Sequence, residues 1–310
     1  MDDLSRHRGW WGDHRAPPEP LSITQLIAAG SLDDELAALL WLLVEGRVPV
    51  LVVAAAPRAG KTTTLTALMD FLPREVRQVF VRGREEDFAW LPDARSLGWL
   101  DAQADAVAAA TGTPADGVVA ADPAKSYLLV SELSPHLPAY TWGLQAKVAV
   151  RALQRGYGMA ATMHADSLEE VFRELEQPPV GLTEDEIRRL GVVIVLRLID
   201  GSRRRAAAVH YLRPLERDGH GHLQRRPPAV LATWEPAADC FEHFAWGLTP
   251  ELADRIGTSQ ARFERAQADR AAFLGSLVRS GVMELPAVRR ALERYRSTHD
   301  LSHERSTRPH

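Results

Sequence analysis

Lys61 and Thr62 close the octapeptide Ala55-Ala56-Pro57-Arg58-Ala59-Gly60-Lys61-Thr62, which fits the spacing G-x-x-x-x-G-K-[ST] at every fixed position but the first. The chemistry of that spacing is phosphate binding. Backbone N–H groups of a tight loop and of a helix N-terminus surround an anion, an ammonium reaches the β- and γ-phosphates, and a hydroxyl ligates Mg²⁺. Lys61 and Thr62 are candidates for the last two roles. Ala55, Ala56, Pro57, Arg58, Ala59, Gly60 and Thr63 complete the candidate nucleotide-binding set. Alanine stands where glycine is usual at 55, and it would cost about 1 kcal/mol if left-handed backbone were needed there.

Holding phosphate is not hydrolysing it; that also needs a group to orient or deprotonate water. The apolar run 127–130 ends in Ser131-Glu132-Leu133, which puts a carboxylate at the end of a strand where it can act on water. The run 159–163 ends in His164-Ala165-Asp166-Ser167. A histidine there can hydrogen-bond a γ-phosphate and sense its loss, although a lone strand-end histidine is more often structural.

The elements that must position these groups are legible around them. Residues 48–53 are strand-forming and 63–72 helix-forming, which is the strand, loop, helix order that the phosphate site needs. Upstream, Ser31, Asp33, Asp34 and Glu35 open a helix that ends near Gly46. Residues 76–81 read as a second strand entering the polar segment 82–87. An Ala-rich helix is expected over 102–110, and helices over 139–155 and 167–175. Repeated strand–helix alternation predicts an α/β fold, a parallel twisted sheet with helices on both faces. Beyond Pro179 the pattern changes. Residues 192–199 and 204–212 flank Asp200-Gly201 as a β-hairpin, 229–233 adds a strand, and three helices follow Thr249.

The expected organisation is a mobile arm over 1–20, a nucleotide-binding core over 21–180, a hairpin and sheet extension over 181–245, a helical module over 246–298 and a tail over 299–310. The 310 residues carry 45% hydrophobic and 25% charged side chains, as expected of a soluble globular protein. A net charge of −4 speaks against wholesale nucleic-acid binding. One cysteine, Cys240, rules out an internal disulfide and suits a reducing cytoplasm; it reads as a small buried apolar residue. Residues 1–20 do not read as a signal peptide, and the apolar stretch 36–56 is broken by Glu45, Gly46, Arg47 and Pro49.

Taken together, these motifs resemble the secretion-superfamily ATPases, the motors of type II and type IV secretion, type IV pili and the archaellum. The resemblance runs over about residues 21–297. It is carried by 21–30 through Lys61-Thr-Thr-Thr64, by Ser131-Glu132, by the His-box-like stretch 156–167, by the hairpin 197–205, and by the tail 270–281 with Tyr295, which is similar to that of archaeal-type members. The resemblance implies a P-loop, RecA-like fold and hydrolysis of ATP with Mg²⁺. It further implies a ring oligomer, hexameric in that family, acting on a membrane-embedded platform from the cytoplasmic side. Glu132 takes the place of the catalytic glutamate, His164 that of the His-box histidine, and Glu86 is the best match to the family's Asp box. The sequence also departs from that pattern. Arg82 and Gly83 occupy the Asp-box positions, the strand ends Ser-Glu rather than Gly-Glu, and no arginine-rich helix stands between 91 and 125, where Arg95 is the one arginine. The family's N-terminal domain is not recognisable in the short stretch before residue 21. An arginine finger contributes about 10³- to 10⁵-fold in rate in other NTPases. A competing reading is therefore a nucleotide-binding partner or regulatory subunit with weak turnover. A P-loop kinase is disfavoured because no lid-like arginine cluster follows the strands. Arg203-Arg204-Arg205 and Arg225-Arg226 read as solvated charge, and His220-Gly-His222 is too sparse for metal.

Overall fold

The computed structural model describes residues 20–100, 119–217 and 223–299. The helix expected over 102–110, His220 and His222, Trp10 and Trp11, most of the N-terminal arm and the tail after 299 lie outside them.

The chain folds around one eight-stranded sheet. Its strands are β1 (Val50–Val53), β2 (Arg77–Val81), β3 (Ser126–Leu133), β4 (Gly158–Met163), β5 (Val192–Ile199), β6 (Arg203–Tyr211), β9 (Ala229–Glu235) and β10 (Cys240–His243), in the order β10-β9-β6-β5-β1-β4-β3-β2. A separate two-residue pair, β7 (Glu216–Arg217) with β8 (Leu223–Gln224), lies in the connection from β6 to β9. Strands β5, β1, β4, β3 and β2 are parallel; β6, β9 and β10 continue the sheet antiparallel.

Handedness decides where the helices go. From β1 the chain crosses three places to β2 through α3 (Lys61–Met69). It then steps back to β3, to β4 through α4 (Leu144–Ala152), and over β1 to β5 through α5 (Leu168–Glu176) and α6 (Glu184–Arg188). Right-handed crossovers in opposite directions fall on opposite faces. Accordingly Val50 and Val52 pack with α3, while Leu51 and Val53 pack with α4, α5 and α6. Burial on both sides is why β1 reads as an unbroken apolar run.

The α3 face is thickened by α1 (Ile23–Ala28), α2 (Asp34–Glu45), α7 (Thr249–Arg255), α8 (Gln260–Arg279) and α9 (Leu285–Thr298). Asp33 caps α2 by accepting from the Leu36 N–H at 2.9 Å. Trp41 of α2 stacks on Phe71 at 4.9 Å and meets Tyr295 of α9 at 5.2 Å. Arg289 of α9 donates to Asp70, just after α3, at 2.8 Å, so the last helix holds the far end of the helix that Lys61 begins.

Three expectations are corrected. The helix expected over 139–155 begins only at Leu144, because Gly143 sits at φ 61°, ψ −129° and the segment before it folds back, with Thr141 bridged to Leu133. Cys240 is exposed on the edge strand β10 rather than buried. Arg205 and Arg204 are not merely solvated: Arg205 is buried against Asp239, and Arg204 lies against residue 58. No helix among the described residues is long and apolar enough to cross a membrane.

Candidate functional site

Strands β1 and β4 are neighbours whose following helices lie on opposite faces, so a crevice opens beyond their C-terminal ends. The loop 54–60 occupies it. Ala59 is buried in the core and anchors the loop from below; Ala55, Pro57 and Arg58 are exposed. Gly60 sits at φ 93°, a left-handed geometry natural only to glycine, and is the N-cap of α3 without any side-chain cap. Alanine at 55 carries no such strain, since positive φ in this loop falls at Arg58 and Gly60 instead. The N–H groups of Ala55, Ala56, Arg58, Ala59 and Gly60 find no acceptor among the described residues. A curved row of unpartnered donors at a helix N-terminus is an anion cradle.

Lys61 begins α3 beneath this cradle. It is 8% exposed, and its ammonium has no hydrogen-bond or ion-pair partner among the described residues. Burial pushes it below the ordinary lysine range, and the Glu132 carboxylate opposes that push. A buried cation left in this way fits an anionic ligand. Thr62 and Thr63 follow in the first turn, half-buried; Thr62 uses its carbonyl to accept from Thr66 and leaves its hydroxyl uncommitted among the described residues. The donor set thus suits a polyphosphate with a hard cation, which Thr62 would help to hold.

Glu132 lies at the end of β3, where the pairing with β4 shifts register between Val130 and Leu133. The irregularity is pinned by Thr162, whose hydroxyl donates to the Ser131 carbonyl at 2.6 Å, and by Thr141, whose N–H donates to the Glu132 carbonyl at 2.9 Å. Such bulges re-aim side chains at strand ends. His164 follows β4 directly, and its Nε2 lies 3.3 Å from Glu132 Oε1. The two approach without hydrogen-bond alignment, and Oε1 remains a buried acceptor with no bonded donor. Such an atom is suited to receiving a water proton.

Two residues that sequence reasoning missed complete the cluster. The His136 ring lies 6.1 Å from that of His164, edge to face, and is hydrogen-bonded to the Ser134 hydroxyl. The Tyr140 hydroxyl is pushed up by burial and then by the charge of Glu132. Both sit within eight residues of Glu132 in a loop containing Pro135 and Pro138, where no periodicity marks a direction.

Asp166 and Ser167 belong to α5 instead. The Asp166 N–H donates to Glu170, and Ser167 caps the helix by accepting from the Glu170 N–H.

Glu86, expected as a further catalytic carboxylate, is bonded within its own segment and makes no hydrogen bond or ion pair with Glu132 or His164 among the described residues. Its side chain is wholly buried. Oε2 accepts from the Arg82 N–H at 2.8 Å, while Oε1 accepts from the Phe88 N–H at 2.8 Å and the Trp90 indole N–H at 3.0 Å. Burial nonetheless pushes this carboxyl above the usual range, against the pull of its N–H donors. The neighbouring Gly83 explains why no acid stands one position after Arg82: at φ 62°, a Cβ added to it would meet the Ala139 carbonyl oxygen at 2.5 Å. Glu86→Gln turns an acceptor oxygen into an amide facing a backbone N–H. It should lower unfolding free energy by about 2 kcal/mol in urea titrations while leaving ligand affinity of the folded protein unchanged.

The elements thus place a row of N–H donors without acceptors among the described residues, and Lys61, at the switch point of a parallel sheet, near a carboxylate and two histidines. No family model matches the chain. It is 27% identical over 269 residues to uncharacterized protein MJ1287 of Methanocaldococcus jannaschii, covering 83% of this chain and 92% of that one. It is 25% identical over 243 residues to uncharacterized protein MJ0900 of the same organism, covering 71% of this chain but only 38% of the relative. A solved structure, the VirB11 ATPase from the Brucella suis type IV secretion system in complex with sulphate, is similar at a TM-score of 0.36 and 22% identity. The match covers 68% of this chain and 63% of that one. That likeness is too loose to place any residue.

Proposed function

We propose that the chain is a P-loop, RecA-like ATPase of the secretion-superfamily kind, converting ATP and water to ADP and phosphate. The observation that carries this reading is the ammonium of the 8% exposed Lys61, which has no partner among the described residues, beneath loop N–H groups equally without an acceptor there, with an unbonded oxygen of Glu132 nearby. In this reading the loop N–H groups and Lys61 hold the phosphates in place. Thr62 would hold Mg²⁺, which when bound supplies neutralisation of phosphate charge. Glu132 takes a proton from water as the water oxygen bonds to the γ-phosphorus and the bond to the ADP oxygen breaks. His164, beside Glu132 and at the end of the strand next to β1, relays departure of the γ-phosphate to the sheet. The sequence resemblance extends the proposal to a ring homo-oligomer, hexameric in the family's manner, working at the cytoplasmic face of a membrane platform.

A specific observation favours a second reading: the burial of Glu86 leaves the phosphate site with one fewer carboxylate than the resemblance implies. The protein would then be a nucleotide-binding regulatory subunit with weak turnover. Titration calorimetry of the full chain with Mg-ATP, paired with steady-state phosphate release, separates the readings. Binding with turnover supports the ATPase, binding without turnover supports the regulator, and no heat of binding removes both.

A further inference from the structure

Resting on the phosphate-loop reading above, we propose that Arg204, on the hairpin between β5 and β6, is a nucleotide-phosphate contact supplied by the same chain that carries the loop. The three arginines that open β6 are partnered differently. Arg203 pairs with Asp200 at 2.8 Å and Asp239 at 3.4 Å. Arg205, almost wholly buried, grips Asp239 through Nε at 2.8 Å and Nη2 at 3.0 Å, and donates to the Ala29 carbonyl at 3.0 Å. Those bonds hold Asp239 well below the usual carboxylate range, at about 2, through the Arg205 and Trp234 donors first. Arg204 has no carboxylate partner among the described residues. Its Nε and Nη2 both donate to the Arg58 carbonyl at 3.2 Å, and its Nη1 donates to the Ser202 carbonyl at 2.9 Å.

The acceptor matters, because residue 58 is the outer turn of the phosphate loop. Arg204 lies across that loop closely enough that a Cβ added to Gly60 would come 3.0 Å from its Cδ. Among the described residues the guanidinium of Arg204 thus meets neutral carbonyls and no carboxylate, at the lip of a cradle where Lys61 likewise finds no partner. Charge-assisted hydrogen bonds from a guanidinium to phosphate are roughly twice as strong as those to neutral acceptors. A polyphosphate in the cradle would draw Arg204 off the Arg58 carbonyl and onto its oxygens. The hairpin is preset for this by the buried Arg205, which fastens it to the β9–β10 turn through Asp239.

The experiment measures affinities of the full-length protein for Mg-ATP and Mg-ADP in wild type, Arg204→Ala, Arg204→Lys, Arg203→Ala and Lys61→Met, with thermal unfolding without nucleotide for each. Arg204→Ala is expected to weaken ATP about tenfold and ADP less, with its unfolding midpoint unchanged because the side chain is exposed. Arg204→Lys should recover part of the loss, and Arg203→Ala should behave as wild type. If Arg204→Ala binds both nucleotides like wild type while Lys61→Met loses them, the inference is overturned and the phosphate site stands. Equal losses for Arg203→Ala and Arg204→Ala would also overturn it, as that pattern reports hairpin integrity. If wild type binds neither nucleotide, the phosphate-loop reading itself fails.

Discussion

Lys61→Met is expected to weaken Mg-ATP binding by about a hundredfold without lowering the stability of the nucleotide-free protein. The two halves of that result have one cause. Lys61 is almost wholly buried, yet among the described residues nothing bonds its ammonium. Hydrogen bonds from a charged donor to phosphate contribute about 1.5–3 kcal/mol, so losing them costs roughly ten- to a hundredfold or more in affinity. In the absence of ligand the same ammonium is a liability. Burial lowers its pKa from the ordinary 10.5, with the Glu132 charge acting the other way. A lysine lowered on folding binds its proton less tightly in the native than in the unfolded state. Its charged form therefore detracts from stability at neutral pH, and the penalty fades as pH rises through the lowered value towards 10.5. Methionine fills a similar volume without charge. Its unfolding midpoint at pH 7 should equal or exceed that of wild type, and the difference should shrink in alkaline buffer. A variant that loses stability while keeping ATP would show Lys61 to be a core residue and nothing more.

Much of this site could be read from the chain because its parts are local. The β1 strand, the loop and α3 are consecutive, and each declares itself over a few residues. The β5–β6 hairpin was equally legible, since Asp200 and Gly201 take positive φ of 51° and 69°, as the tight turn between twisted strands requires. The three C-terminal helices follow their apolar spacing. What escaped were contacts made across the fold. Arg204 meets Arg58 from 146 residues away, and no pattern within 203–205 says which of three arginines faces the loop. Glu86 looked available because it stands in a run of charge, but its burial depends on Trp90 and on the turn at Phe88 closing over it. Strand β10 is four residues long at the sheet edge, with Cys240 turned to solvent, too short to show a period. The small helix α6 did carry its signal: Thr183 and Glu186 form a reciprocal capping box.

Glu132→Gln is expected to lower ATP turnover by about 10²- to 10⁴-fold, the usual range for removing a general base, while ATP still binds. The exchange keeps the shape of the side chain and removes only its ability to take a proton. Retention of binding follows from geometry: the phosphates are assigned to the loop N–H groups and Lys61, whereas Glu132 stands at the end of β3 with His164 as its neighbour at 3.3 Å. Removing its negative charge also removes a repulsion between the carboxylate and a polyphosphate. Affinity should therefore hold or rise, and ATP should accumulate on the variant in single-turnover measurements. His136 sharpens the outcome, because its ring stands beside that of His164 and a neutral imidazole can take over the task of Glu132. A residual rate that His136→Ala then removes would assign the proton to that histidine. A Glu132→Gln variant turning over at the wild-type rate would take water activation away from Glu132, leaving the strand-end irregularity that presents it to be explained by packing alone.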